Sequence, residues 1–148
     1  MRRLLAALLI LVFAESSALA CSCMMAPRDP AQRQAMARDA AAGAIALIEV
    51  ELVNAYQAPG RGERLRVRRT LAGRAPAVFQ VERLREPSSA SCDLEFSPGS
   101  RTLILLYPPR GPVNARGQVY RISASCTSYL IADAAFRGAL LREWRRRH

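Results

Sequence analysis

Residues Arg101–Tyr107 read RTLILLY, with apolar side chains at consecutive positions. A strand with one face in water alternates apolar and polar residues, whereas a short run that is apolar on both parities has both faces covered. One parity is expected to line a barrel interior and the other to lie under a helix. This run is therefore expected to be the most buried strand of the chain.

The remaining elements follow from the same reasoning. In AIALIEVELVNAYQ, Ile48, Val50 and Leu52 alternate with Glu49 and Glu51, which predicts a long half-buried strand. After the turn-like APGRGE, the stretch RLRVRRTLAG sets Leu65, Val67 and Leu71 against Arg64, Arg66 and Arg68, so the two strands form a hairpin. AVFQVERL gives a third strand with Phe79 and Val81 on one face. Leu84 falls on the other parity, which calls for a bulge or twist near Glu82. REPSSASCD and PPRGPVNARG are connections, and QVYRISASC is a fifth strand that aligns Tyr120, Ile122, Ala124 and Cys126.

Two helices complete the set. DPAQRQAMARDAAAGA has Asp29 as cap, Pro30 at the first helical position, Gln32 to complete a capping box and Gly43 as a stop, predicting a helix over 30–42. The ending YLIADAAFRGALLREWRRRH suits one helix with Leu130, Ala134, Leu141 and Trp144 on a stripe and Phe136 and Leu140 at its edge. Arg137 interrupts that stripe and Gly138 weakens it. The expected fold is mainly β: a five-stranded barrel, closed or partly open, with an N-terminal and a C-terminal flanking helix.

The chain opens MRRLLAALLILVFAESSALA, two arginines before an apolar run from Leu4 to Ala14 and a small-residue ending, which is the layout of a secretory signal peptide. The run covers about half of the ~20 residues that span a bilayer. Residues 1–20 are thus expected to be a signal peptide and 21–148 one domain, secreted or periplasmic/extracellular.

All 22 basic residues are arginine, against 12 carboxylates. Two of those arginines and one of those carboxylates lie in residues 1–20, leaving a formal charge of +9. An exported basic domain seldom meets nucleic acid, so none is expected as partner. Anionic glycan, anionic lipid or an acidic protein surface are the natural counterparts, with Arg142, Arg145, Arg146 and Arg147 of the terminal run as candidate contacts. The same cations complement a helix C-terminus.

Catalytic patterns are absent. The single histidine is His148, the last residue, so no Ser-His-Asp or Cys-His arrangement can be drawn on it, and no HExxH, Walker or GxGxxG motif occurs. Glu49 and Glu51 read as the solvated side of a strand, not as an acid/base pair. An enzyme is not expected, nor a resident cofactor.

The cysteines are Cys21, Cys23, Cys92 and Cys126. Four in an exported small domain imply a disulfide framework with three possible pairings. Cys21 and Cys23 are too close in sequence to pair easily with each other, which favours both reaching across the fold. The soft ligands of CSCMM would also suit Cu(I) if the thiols were reduced.

Cys-x-Cys directly after the cleavage point, a five-strand barrel, one cysteine after the third strand and one after the fifth together resemble the netrin-like domain, in particular the inhibitory domain of the tissue inhibitors of metalloproteinases. The resemblance runs from CSC through LIEVELV, VRRTLAG, SASCDLEFSPGSRTLILLY and RISASC to the last helix. It implies an OB-type barrel and the pairings Cys21 with Cys92 and Cys23 with Cys126.

It also implies a function, inhibition of a zinc metalloprotease. The backbone amine and carbonyl of Cys21 would chelate the protease zinc, Ser22 would enter the primary specificity pocket, and Cys23, Met24, Ala90 and Ser91 would flank it. The family's third disulfide has no counterpart here. Met24-Met25 stands where the family has smaller residues, and Asp93 where it commonly has glycine. The alternative expectation is a non-inhibitory extracellular module binding a protein or an anionic surface.

Overall fold

A computed structural model describes residues 23, 25–54, 63–81, 96–109 and 118–147. They form helix α1 (Pro30–Ala41), strands β1 (Ala46–Asn54), β2 (Glu63–Gly73), β3 (Val78–Val81), β4 (Arg101–Tyr107) and β5 (Val119–Ile122), then helices α2 (Ser125–Ala132) and α3 (Ala134–Arg147). The strands close a barrel in the order β1-β2-β3-β5-β4. Pairings are antiparallel except for the β3–β5 seam, which is parallel. The barrel is mainly β, of OB type and flanked by helices, as expected from the sequence.

β4 explains the architecture. Ile104 and Leu106 point inward and join Ala46, Ile48, Val50, Leu65, Phe79, Val81 and Phe96 in the barrel core. Leu105 points outward and, with Leu47 of β1, packs against Ala37, Ala41, Ile131, Phe136, Ala139 and Leu140 of the helices. Ile104, Leu105 and Leu106 are each 0 % exposed. Burying a side chain of this size contributes about 1.5–3 kcal/mol, so both faces of the strand stabilise the fold.

α1 begins as the sequence implies: Asp29 Oδ2 accepts from Gln32 N at 2.9 Å, and Pro30 is at the first helical position. It ends at Ala41, one residue short of the expected 42, before Gly43 at φ +72°. The Tyr107 hydroxyl donates to Ala40 O at 2.9 Å, giving a terminal carbonyl of α1 a partner from β4.

The C-terminal helix differs from expectation. It is broken at Asp133, whose N–H donates to Leu130 O (3.1 Å) to close α2 and whose Oδ1 accepts from Phe136 N (2.7 Å) to cap α3. Aspartate at an N-cap competes well with aspartate inside a helix. The break resets the helical phase, so α3 buries Phe136, Ala139, Leu140 and Glu143, while Ala134 is exposed and Leu141 and Trp144 are half-buried. Arg137, which interrupted the expected stripe, donates from Nη1 to Ile131 O and Ala132 O, both at 3.0 Å, at the end of α2.

Two strands also differ. β5 stops at Ile122, because Ser123 Oγ accepts from Leu105 N (3.1 Å) and contacts Ser128 Oγ (3.1 Å), turning the chain into α2. Cys126 therefore sits on a helix and shares no strand face with Tyr120. In β2 the period-two alternation breaks at two irregularities opposite β1, between Leu47/Ile48 and Glu49/Val50. Each opposes two β2 residues to one of β1, which brings Leu71 and Ala72 to the helix side.

Gly73 ends β2 at φ +76°, and a Cβ there would stand 2.6 Å from Trp144 Cζ2 of α3. Only glycine lets the helix approach the strand end this closely. No helix among the described residues is long and apolar enough to cross a membrane. Residues 1–20, the APGR turn, the irregularity expected near Glu82 and most of the connections before β4 and β5 lie outside the described residues.

Candidate functional site

Of the residues that the resemblance implicates, Cys21, Ser22, Met24, Ala90, Ser91 and Cys92 lie outside the described residues. Cys23 lies within them. It is half-buried and joined to Cys126 in the first turn of α2, with a Cα–Cα distance of 4.9 Å across 103 residues of sequence.

The segment after Cys23 is held at three further points. Ala26 packs against the helix-side core. Arg33 of α1 reaches back and donates from Nε to Pro27 O (3.0 Å) and from Nη2 to Arg28 O (2.9 Å). The disulfide, the alanine and the guanidinium together fix Cys23 and residues 25–28 on α1 and α2. Arg33 carried no signal in the sequence, since an arginine in the first turn of a helix ordinarily points into water.

Two large apolar side chains are exposed beside this anchorage. Met25, two residues after Cys23, is 81 % exposed, and Tyr129, one helical turn after Cys126, is 62 % exposed. The disulfide occupies the Cys23 sulfur, so Cys23 cannot serve as a thiolate for Cu(I). Among the described residues no group of three or more His, Cys, Asp or Glu could hold a metal ion.

The terminal arginines have a structural task. Glu143 is 5 % exposed between α3 and α1. It accepts from Arg147 Nε (3.0 Å) and Gln34 Nε2 (3.2 Å), with Arg146 Nη1 at 3.8 Å and Arg38 Nε at 4.0 Å. Arg147 Nη2 also donates to Arg38 O at 3.0 Å. The hydrogen bond from Arg147 holds the Glu143 carboxyl below the usual range, against the opposing effect of burial. Arg142 and Arg145 are exposed on the same helix.

Glu49 and Glu51 lie on the outer face of β1 and are paired with arginines. Arg68 Nε is 2.6 Å and Arg66 Nη1 3.5 Å from Glu51, and Arg101 Nη1 is 4.0 Å from Glu49. Burial raises the Tyr107 hydroxyl above its ordinary range, partly offset by the Arg121 guanidinium, which lies 5.5 Å from the ring centroid. This tyrosine is committed to capping α1.

An open groove of about 460 Å³ lies at the β3–β5 seam, lined by Pro76, Val78, Phe79, Gln118 and Tyr120. Phe79 and Tyr120 meet edge to face at 5.6 Å, and the Tyr120 hydroxyl donates to Gln118 Oε1 at 2.9 Å. Among the described residues its lining holds no carboxylate, cysteine or histidine, so these residues offer an apolar wall without acid or base chemistry. The anchored N-terminal segment is therefore the better candidate site. Compared with family models, curated proteins and solved structures, this chain matches none.

Proposed function

We propose that this chain is an exported inhibitor of a zinc metalloprotease, acting through the amine of Cys21 after cleavage behind Ala20. The observation that supports this reading is the cross-link of Cys23 to Cys126, which fastens the chain two residues after Cys21 to helix α2 on the side of the barrel. A wedge held in this way loses little conformational entropy when it enters a cleft.

The chemistry follows from the metal. A catalytic zinc keeps one position for water. An α-amino nitrogen and the carbonyl oxygen of the same residue form a five-membered chelate ring on that zinc and displace the water. A terminal amine with a pKa near 8 is partly neutral at pH 7, and the metal favours that form. Ser22 follows into the specificity pocket, flanked by Cys23, Met24, Ala90 and Ser91, and a Cys21–Cys92 disulfide holds the wedge from its other side.

The test is inhibition of a panel of zinc endopeptidases by the exported protein, with its intact mass measured first. A mass that starts at an unmodified Cys21 and inhibition abolished by one alanine inserted before Cys21 support the proposal. Acylated Cys21, cleavage at another bond, or inhibition unaffected by the insertion overturns it.

A second reading is a module that binds anionic glycan, lipid or acidic protein through the C-terminal arginines, favoured by the exposure of Arg142, Arg145 and Arg146. Deleting residues 142–148 without loss of binding to anionic vesicles or glycans excludes it.

A further inference from the structure

The outer face of β1, β2 and β4 beyond the helices is a two-layer charged surface. Glu49 and Glu51 of the central strand form its floor, with side chains 26 % and 16 % exposed. Arg66 and Arg68 of β2 and Arg101 of β4 lie above them, 42–64 % exposed. Arg64 alternates with buried Leu65 and is exposed on this side.

The irregularity in β2 adds a further charge. Val50 pairs with Val67 and Glu49 with Arg69, so Arg68 is the extra residue. Arg68 contacts Glu51 on the outer face, and Arg69 stands in register with Glu49 on that same face. Regular alternation would have sent one of the two inward. Arg64, Arg66, Arg68, Arg69 and Arg101 thus share one surface with two carboxylates, leaving an excess of three positive charges.

We infer that this face binds a linear acidic glycan, one carrying carboxylate or sulfate groups along an extended chain. Alternate residues of a strand are about 6.7 Å apart, so Arg64, Arg66 and Arg68 form a row of cations along the strand direction. A guanidinium bound to Glu51 through one edge is held in place and keeps further N–H donors facing outward, in a fork that fits carboxylate and sulfate.

The alternatives fit less well. Single-stranded nucleic acid is held by stacking on aromatic rings, and residues 49–53, 64–70 and 101–103 contain none. A membrane surface is gripped by apolar side chains set among the cations, and among the described residues of this face only Val53 is large, apolar and exposed. The surface is separate from the N-terminal segment and from the arginines of α3, so the inference does not depend on the proposed inhibition.

The experiment measures binding of a heparin octasaccharide and of an oligogalacturonate octamer to the full exported chain by calorimetry across a salt series. Arg64→Ser/Arg69→Ser removes two cations that form no pair with Glu49 or Glu51, and is expected to weaken binding about tenfold and flatten the salt dependence. Arg145→Ser/Arg146→Ser separates this face from the C-terminal arginines of the second reading: this face predicts binding within about twofold of the parent, and a loss of about tenfold assigns the glycan to the C-terminal arginines and overturns the inference. Amide shifts of the unaltered protein on adding octasaccharide give a reading independent of any variant, and should centre on residues 64–69 and 101.

Binding of one octamer only identifies sulfate or carboxylate as the preferred group. The inference is overturned if the β2 variant binds as well as the parent, if the shifts centre on 142–147, or if phosphatidylglycerol vesicles bind with the β2 dependence while neither octamer does.

Discussion

β1 has one outer face with two halves. Leu47 is buried under the helices and pairs with Leu105, whereas Glu49 and Glu51, two and four residues on, lie on the bare half among arginines. β4 runs the other way and shows the same division, from Arg101 on the bare half through Leu103 to Leu105. The boundary of the helical layer is thus encoded in the outward residues of the strands beneath it. Covered positions are stabilised by apolar burial of about 25 cal/mol per Å², bare ones by ion pairs worth about 0–1 kcal/mol.

Exchanging the two kinds of residue breaks this contrast most severely. Leu47→Glu sets a carboxylate against Phe136 and Leu140 with no cation built to meet it, and is expected to cost at least about 3 kcal/mol or to prevent folding. Glu49→Leu should change stability by less than about 1 kcal/mol, because its partner Arg101 is 4.0 Å away and 64 % exposed. Urea unfolding of the pair measures both. Equal losses would show that the halves are not distinct.

The disulfide gives the next largest effect, because it fastens only the covered half. Cys23→Ser/Cys126→Ser opens a loop of about a hundred residues and is expected to cost roughly 2–5 kcal/mol. Hydrogen exchange should accelerate first in α1 and α2 and least in the paired residues 64–69 of β2. A uniform acceleration would mean that the staple supports the barrel as a whole and not one side of it.

Much of this division is legible in the sequence and some is not. RTLILLY reports two covered faces because every side chain in it is local evidence, and Asp29-Pro30 reports a helix start for the same reason. The break at Asp133 is hidden because ADAAFRGALL continues a helical pattern on either side of it, and only the tertiary position of Phe136 favours the cap over a continuous helix. The bulge at Arg68 is hidden because RVRRT is compatible with either register until Glu49 and Glu51 stand opposite it. At the candidate site the cysteines are visible and their clamp is not: Arg33 reaches back to Pro27 and Arg28, a contact that depends on how the segment folds onto α1.

Glu143 is the exception on the covered half, a buried carboxylate met by Arg38, Arg146, Arg147 and Gln34, and its effect depends on pH. Its folded pKa is lowered, chiefly by the hydrogen bond from Arg147. The unfolded chain therefore binds the proton more readily. The stabilisation is fully present above the ordinary carboxylate pKa and is lost as pH falls through the lowered folded value. Glu143→Gln should be less stable than the parent near pH 7, with the gap in urea midpoint closing as the pH falls below about 4. A gap that is constant with pH would assign the role of Glu143 to packing.

The smallest effect is expected at Glu51, and it links the bare half to anion binding. Glu51 faces two guanidiniums that remain 42–47 % exposed, so Glu51→Gln should cost less than about 1 kcal/mol and less still at high salt. Removing the carboxylate raises the local charge by one, which favours a polyanion, but it also releases Arg66 and Arg68 from the geometry that the carboxylate imposes. If charge dominates, octasaccharide affinity rises a few-fold at low salt and the gain fades as salt is added. If orientation dominates, affinity falls despite the added charge. The Arg68 contact is the shorter of the two at 2.6 Å, and a guanidinium held by one edge retains its other donors at fixed angles. Affinity is therefore expected to change less than the added charge alone would produce, and a salt series on the single variant separates the two contributions.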